Sequence, residues 1–213
     1  RVCICRKFLL LTHNVMSILL EALELTAERG QRKLFKNISF SISAGEALHI
    51  MGANGCGKTT LMRILAGLIR YGFQGRVNRN SPMFFMGHQL ALKGHLTVLE
   101  NLKLDISGWS AASDELILEV LTQLNLECFL HSFVNTLSIG QQRKVSLARI
   151  FLTDHLVWLL DEPFTSLDKS SISKVEVCIT NHLLRGGALV ITSHQDINLP
   201  NVDLKVVELG GRE

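Results

Sequence analysis

A chain of 213 residues, 47% hydrophobic and 19% charged, suits one compact α/β domain or a core with one insertion, excludes disorder and leaves no room for a second independent domain. Its formal charge of +3 comes from Arg1, Arg6 and Lys7 alone, because residues 1–15 hold no acid and the balance from Met16 onward is zero; that argues against nucleic acid as a partner. Mean hydropathy is +0.25, yet no apolar run approaches the roughly 18–20 residues of a spanning helix, so no direct membrane span is expected.

In chain order, residues 1–15 read as a non-structural extension upstream of a reading frame starting at Met16, and 16–213 as a single domain. Cys3 and Cys5 form a CxC pair without the further ligands of a zinc site. Five cysteines, odd in number and mostly isolated, favour a reducing compartment over a disulfide framework. Ile18–Leu25 and Ile38–Ile42 flank a polar stretch at Gly30 and predict an antiparallel pair. Ala47–Met51 is a short apolar strand running into a glycine-rich turn, and Thr60 to Leu68 carries apolar residues at helical spacing. A strand is expected at Met83–Met86. Leucines at helical intervals from about 97 to 135, with Gly108 and Trp109 between them, predict a mostly helical region inside an inserted subdomain of about 95–150. A helix follows Ser138, then a strand at Leu156–Leu160, a helix over 170–184, and strands at Ala188–Thr192 and Lys205–Leu209. Continuous apolar strands alternating with helices predict a mainly parallel sheet covered on both faces, made mixed by the antiparallel pair at the front.

Gly52-Ala53-Asn54-Gly55-Cys56-Gly57-Lys58-Thr59 matches GxxxxGK[ST], with a strand before it and a helix after it. In such a loop glycines let backbone N–H groups turn inward around an anion, and the helix N-terminus adds partial positive charge. Gly52, Asn54, Gly55, Gly57, Lys58, Thr59 and Thr60 are the candidate phosphate contacts. Lys58 reaches the β- and γ-phosphates and the Thr59 hydroxyl ligates Mg²⁺. Cys56, at a variable position, reads as a tolerated small residue. The apolar run Leu156–Leu160 ends in Asp161 and Glu162, and paired acids closing such a run call for a cation or for solvent. Asp161 is the candidate Mg²⁺ partner and Glu162 the candidate general base.

Leu137-Ser138-Ile139-Gly140-Gln141-Gln142 taken alone is a capping box opening a helix. Standing 23 residues before Asp161 and followed by Leu147-Ala148-Arg149, it resembles the LSGGQ signature of the ATP-binding cassette (ABC) ATPases, with Ile139 in place of the first glycine. The resemblance spans nearly all of residues 18–209. It implies a P-loop NTPase fold with ATP and Mg²⁺ as ligands, and an ATP-sandwich dimer in which Ser138, Gly140 and Gln141 face nucleotide held by a second copy. It further implies that Gln89 is the Q-loop glutamine near Mg²⁺, that Ser166-Leu167-Asp168 is the D-loop, and that His194 is the switch histidine acting with Glu162. His13, His49, His131, His155 and His182 read as surface or core filler. Where the family stacks adenine on an aromatic ring this chain has Arg29, whose guanidinium is able to stack on a purine; Phe35 is nearby, and the adenine contact stays open.

Within the family, Gly87-His88-Gln89, the Gln141–Arg149 stretch and Trp158 to Asp168 look most like the ATP-binding subunit of the bacterial cytochrome c maturation system. That resemblance implies integral membrane partners of the same complex, a haem-related cargo, and a peripheral position on the cytoplasmic face of the bacterial inner membrane. The alternatives are the ATPase subunit of an ABC exporter for another cargo and a soluble non-transport ABC ATPase. A DNA-repair ABC ATPase would need a long coiled coil between Lys58 and Ser138, a translation factor two cassettes, and a P-loop kinase no signature. The family's membrane subunits dock beside the Q-loop, which directs attention to Gln89–Leu96 with Leu99 and Leu102.

Overall fold

Two sheets organise the structure, a computed structural model that describes residues 17–30, 32–104, 112–200 and 202–210. The expectations for residues 1–15, Met16, Cys3, Cys5, Gly108 and Trp109 fall outside these. The first sheet holds β1 (Ile18–Arg29), β2 (Arg32–Ser43) and β4 (Phe73–Arg79) in the order β2-β1-β4, antiparallel throughout. The second holds β5 (Met83–Met86), β6 (Val157–Asp161), β7 (Ala188–Thr192), β3 (Ala47–Met51) and β8 (Leu204–Glu208), in the order β5-β6-β7-β3-β8, all parallel. The α/β class and the parallel sheet are as expected. One detail is corrected: the front pair does not make that sheet mixed, because β1 spends its second edge on β4 and closes a sheet of its own.

Strand alternation explains how the parallel sheet is covered twice. In β6, Val157 and Leu159 join a core shared with α1 (Lys58–Leu65) and the antiparallel sheet, whereas Trp158 and Leu160 join a core under α5 (Lys169–Leu184). Val190 of β7 divides from Leu189 and Ile191 in the same way. Each such side chain buried on either face contributes about 1.5–3 kcal/mol, which is why these strands read as unbroken apolar runs. A third cluster gathers α2 (Val98–Lys103), α3 (Asp114–Gln123) and one face of α4 (Ile139–Leu152) around Val98, Leu102, Ile117, Leu121 and Val145. The opposite face of α4 sends Leu147 and Ile150 into the core under α5, so α4 joins the helical cluster to the sheet.

The register aligns three strand ends. Thr192 at the end of β7 pairs with Ile50 of β3 on one side and with Asp161 of β6 on the other. The loops leaving β3, β6 and β7 therefore emerge side by side at the carboxyl edge of the sheet, where open α/β sheets bind ligands.

Candidate active site

The loop between β3 and α1 is built around backbone that only glycine adopts without strain. Gly52 and Gly57 have φ of 145° and 109°. A Cβ on Gly52 would lie 2.5 Å from the Leu209 carbonyl oxygen, and one on Gly57 would lie 2.9 Å from Leu34 Cβ. Gly57 is also the N-cap of α1 and offers no side chain to its first turn, which leaves the helix's leading N–H groups available to an anion. The buried Lys58 ammonium donates to the Gly52 carbonyl at 2.6 Å and to the Ala53 carbonyl at 3.4 Å, which holds it over the centre of the loop.

Beside the loop, Thr192 Oγ1 donates to Asp161 Oδ1 at 2.7 Å, while Asp161 Oδ2 is buried and has no hydrogen-bond partner. A buried, uncompensated carboxylate oxygen is costly and is a fitting ligand for a hard cation. With Thr59 lining the same cavity, the residues fit Mg²⁺, which commonly takes one or two carboxylates together with substrate phosphates.

Glu162 holds a left-handed backbone, φ 52°, unusual for a side chain of its kind. Its N–H is fixed by Thr192, at 2.9 Å from the hydroxyl and 3.2 Å from the carbonyl oxygen. Its carboxylate accepts the His194 N–H at 3.2 Å, and His194 Nε2 lies 3.4 Å from the other carboxylate oxygen. Strain of this kind concentrates at functional sites, and here it turns the carboxylate out of the sheet toward the loop.

One cavity of about 460 Å³ is lined by Asn54, Gly55, Gly57, Lys58, Thr59, Thr60, Asp161, Glu162 and His194. Arg29 and Leu34 also line it, whereas Phe35 is buried in the core behind Gly57. Gly52 contributes its carbonyl to Lys58 and not a wall. Gln89 lies outside this cavity and lines a smaller one with Leu68 and Phe85; the residue of that turn facing the loop is His88. Ser138, Gly140 and Gln141 also lie outside it. Ser138 caps α4, its hydroxyl accepting from the Gln141 N–H while the Gln141 side chain accepts from the Ser138 N–H, and Ile139 stands 74% exposed beside it. Sequence reasoning missed Thr192 and His88, whose contributions depend on pairing between strands far apart in the chain. A cavity of about 560 Å³ at the opposite ends of β6 and β7, lined by Trp158, Cys178 and His182, lacks any glycine loop or paired acids.

The family profile described as "ABC transporter" matches residues 35–165. The chain is 40% identical over 202 residues to the cytochrome c biogenesis ATP-binding export protein of Shigella flexneri, covering 90% of this chain and 96% of that one. It is likewise 40% identical over 204 residues to the protein of that name in Vibrio cholerae, covering 90% and 99%. Among solved structures it resembles a dimeric ATP-binding cassette in a post-hydrolysis state bound to ADP and Pi, with 27% identity, a TM-score of 0.75, and coverage of 89% of this chain and 94% of that one.

Proposed function

The chain belongs to the ABC transporter family and, within it, to the cytochrome c biogenesis ATP-binding export proteins, and from that membership we propose how its residues drive export. It is an ATPase whose hydrolysis is coupled to transport. The observation that carries the residue assignment is the convergence of Lys58, Asp161, Glu162 and His194 on one cavity.

ATP places its phosphates in the loop, where backbone N–H groups from Asn54 to Thr60 and the α1 terminus meet the negative charge. Lys58 exchanges the Gly52 and Ala53 carbonyls for β- and γ-phosphate oxygens. Thr59 and Asp161 are the residues that would hold Mg²⁺, which would supply positive charge to neutralise the phosphates. Glu162 takes the proton of the attacking water at its carboxylate, oriented by the His194 N–H and imidazole. Arg29 and Leu34 receive the base, a guanidinium standing where the family places an aromatic ring.

Ser138, Gly140 and Gln141 serve the nucleotide of a second copy, a reading supported by their place outside this chain's own cavity and by the dimeric form of the similar ATP-binding cassette. Gln89, exposed on its turn, would join Thr59 and Asp161 in holding Mg²⁺ if that turn moved toward the loop. The membrane subunits dock on the apolar cavity of about 330 Å³ formed by Leu68, Met83, Phe85, Gln89 and Leu104. Leu102 is fully buried and Leu92 and Leu99 pack on the helical cluster, so the exposed apolar group lining the docking cavity is Leu68 instead. No helix among the described residues is long and apolar enough to cross a membrane. The subunit sits on the cytoplasmic face of the bacterial inner membrane and serves a haem-related cargo.

Lys58→Ala tests the site and the cargo together. Its turnover should fall at least about 100-fold, and cells carrying it in place of the wild type should lack c-type cytochromes. Turnover above a tenth of wild type would refute the loop assignment. Normal c-type cytochromes with an inactive enzyme would refute the cargo alone.

A further inference from the structure

The side chain of Arg143, on the second turn of α4, is buried at 3% exposure and reaches two catalytic segments at once. One guanidinium nitrogen, Nη2, donates a short hydrogen bond to the backbone carbonyl of Glu162, and the other, Nη1, donates to the carbonyl of His88 at 3.4 Å. Burial works against its charge, and the nearby Asp161 and Glu162 carboxylates offset only part of that cost. Six residues further along the same helix, Arg149 is buried at 8% exposure and donates to the carbonyls of Leu90 and Ala91, the other end of the turn that follows β5. Both arginines therefore grip one turn, and of these two contact sets only that of Arg143 includes Glu162.

The geometry points to Arg143 as a positioning residue for hydrolysis, a bridge that sets the strained backbone of Glu162 and ties it to the turn carrying His88 and Gln89. The inference rests on Glu162 being the general base. Left-handed backbone at Glu162 is held from one side by the two Thr192 bonds to its N–H and from the other by the Arg143 bond to its carbonyl. The Thr165 N–H also reaches that carbonyl, at 3.4 Å, so the Arg143 bond is the shorter of two restraints on it, and losing it loosens the peptide and lets the carboxylate drift from its aim. Because the same guanidinium holds the His88 carbonyl, displacement of the turn by a docked membrane subunit acts directly on the base. The next residue, Lys144, pairs with Asp168 at 2.7 Å, so consecutive residues of α4 hold Glu162 and the segment that follows it.

Steady-state ATPase kinetics of the full-length chain carrying Arg143→Met, Arg143→Lys or Arg149→Met test this, with Glu162→Gln alongside. Arg143→Met should lower kcat at least about tenfold with KM for ATP and nucleotide affinity within about threefold, since misaiming a reacting group costs turnover and leaves the phosphate loop intact. Arg143→Lys keeps the buried charge, but one ammonium reaches one carbonyl at a time, so its kcat should also fall. Arg149→Met, equally an excision of a buried arginine from α4, should stay within about threefold of wild type in kcat. Wild-type kcat in Arg143→Lys, or equal losses in Arg143→Met and Arg149→Met, would overturn the bridge. Full turnover in Glu162→Gln would instead overturn the assignment of the base on which the bridge depends.

Discussion

Thr192 Oγ1 both donates to Asp161 Oδ1 at 2.7 Å and accepts the Glu162 N–H at 2.9 Å, so one hydroxyl in β7 orients both acids at the end of β6. Thr192→Val keeps the shape and removes both bonds. The Mg²⁺ concentration for half-maximal ATPase activity should rise about tenfold, the usual cost of losing a partner that orients a metal ligand. An unchanged Mg²⁺ titration would show that Asp161 needs no such orientation.

Gly57→Ala should abolish ATP binding measured by calorimetry. The added Cβ meets Leu34 Cβ at 2.9 Å and Phe35 Cδ1 at 3.0 Å, and an alanine at φ 109° adds about 1–2 kcal/mol of backbone strain. Both costs fall on the first turn of α1, where the phosphate N–H groups must point inward. Wild-type affinity in a folded variant would remove the loop from the binding site.

These residues divide by how far apart in the chain their geometry is decided. The phosphate loop was legible because its conformation is local: glycines, lysine and threonine in consecutive positions specify it. Asp161 and Glu162 were legible because an apolar run stops at them. Thr192 reads as one more strand residue until parallel pairing sets it beside Asp161, and nothing local to Arg143 points to Glu162 until α4 is packed on the sheet. β4 escaped notice because Phe73–Arg79 has no clean alternation, and its place beside β1 is what separates the antiparallel sheet from the parallel one. His194 was legible through resemblance, and the structure adds its two contacts with Glu162.

His182 offers a pH test of packing. Its ring stacks on Trp158 with centroids 3.7 Å apart, and burial holds its pKa down at about 4. The unfolded chain, with an ordinary value near 6.5, therefore binds the proton more readily. This histidine's contribution to stability is complete above about pH 6.5 and is lost as pH falls toward 4, by about 3 kcal/mol at most. In thermal melts from pH 7 to 4, His182→Phe should show a shallower fall in midpoint than wild type. Parallel curves would mean that His182 is not held neutral by the fold.

Leu68→Glu places a charge on a side chain 63% exposed at the edge of the proposed docking cavity. Basal ATPase activity of the isolated chain should stay within about twofold, as surface changes away from the site usually do little to stability. Co-purification with the membrane subunits should be lost. A variant that still joins the complex and supports c-type cytochromes would place the docking face elsewhere.

The central claim is that two copies of this chain complete each other's ATP sites, Ser138 of one reaching the nucleotide on Lys58 of the other. Light scattering of Glu162→Gln with Mg-ATP tests it most directly, because that variant binds nucleotide and cannot spend it. The account predicts a mass near twice the 23.7 kDa of one chain, returning to a single chain when Ser138→Arg is added to the same variant. A Glu162→Gln protein that stays at one chain's mass while binding ATP, or a dimer indifferent to Ser138→Arg, would contradict it.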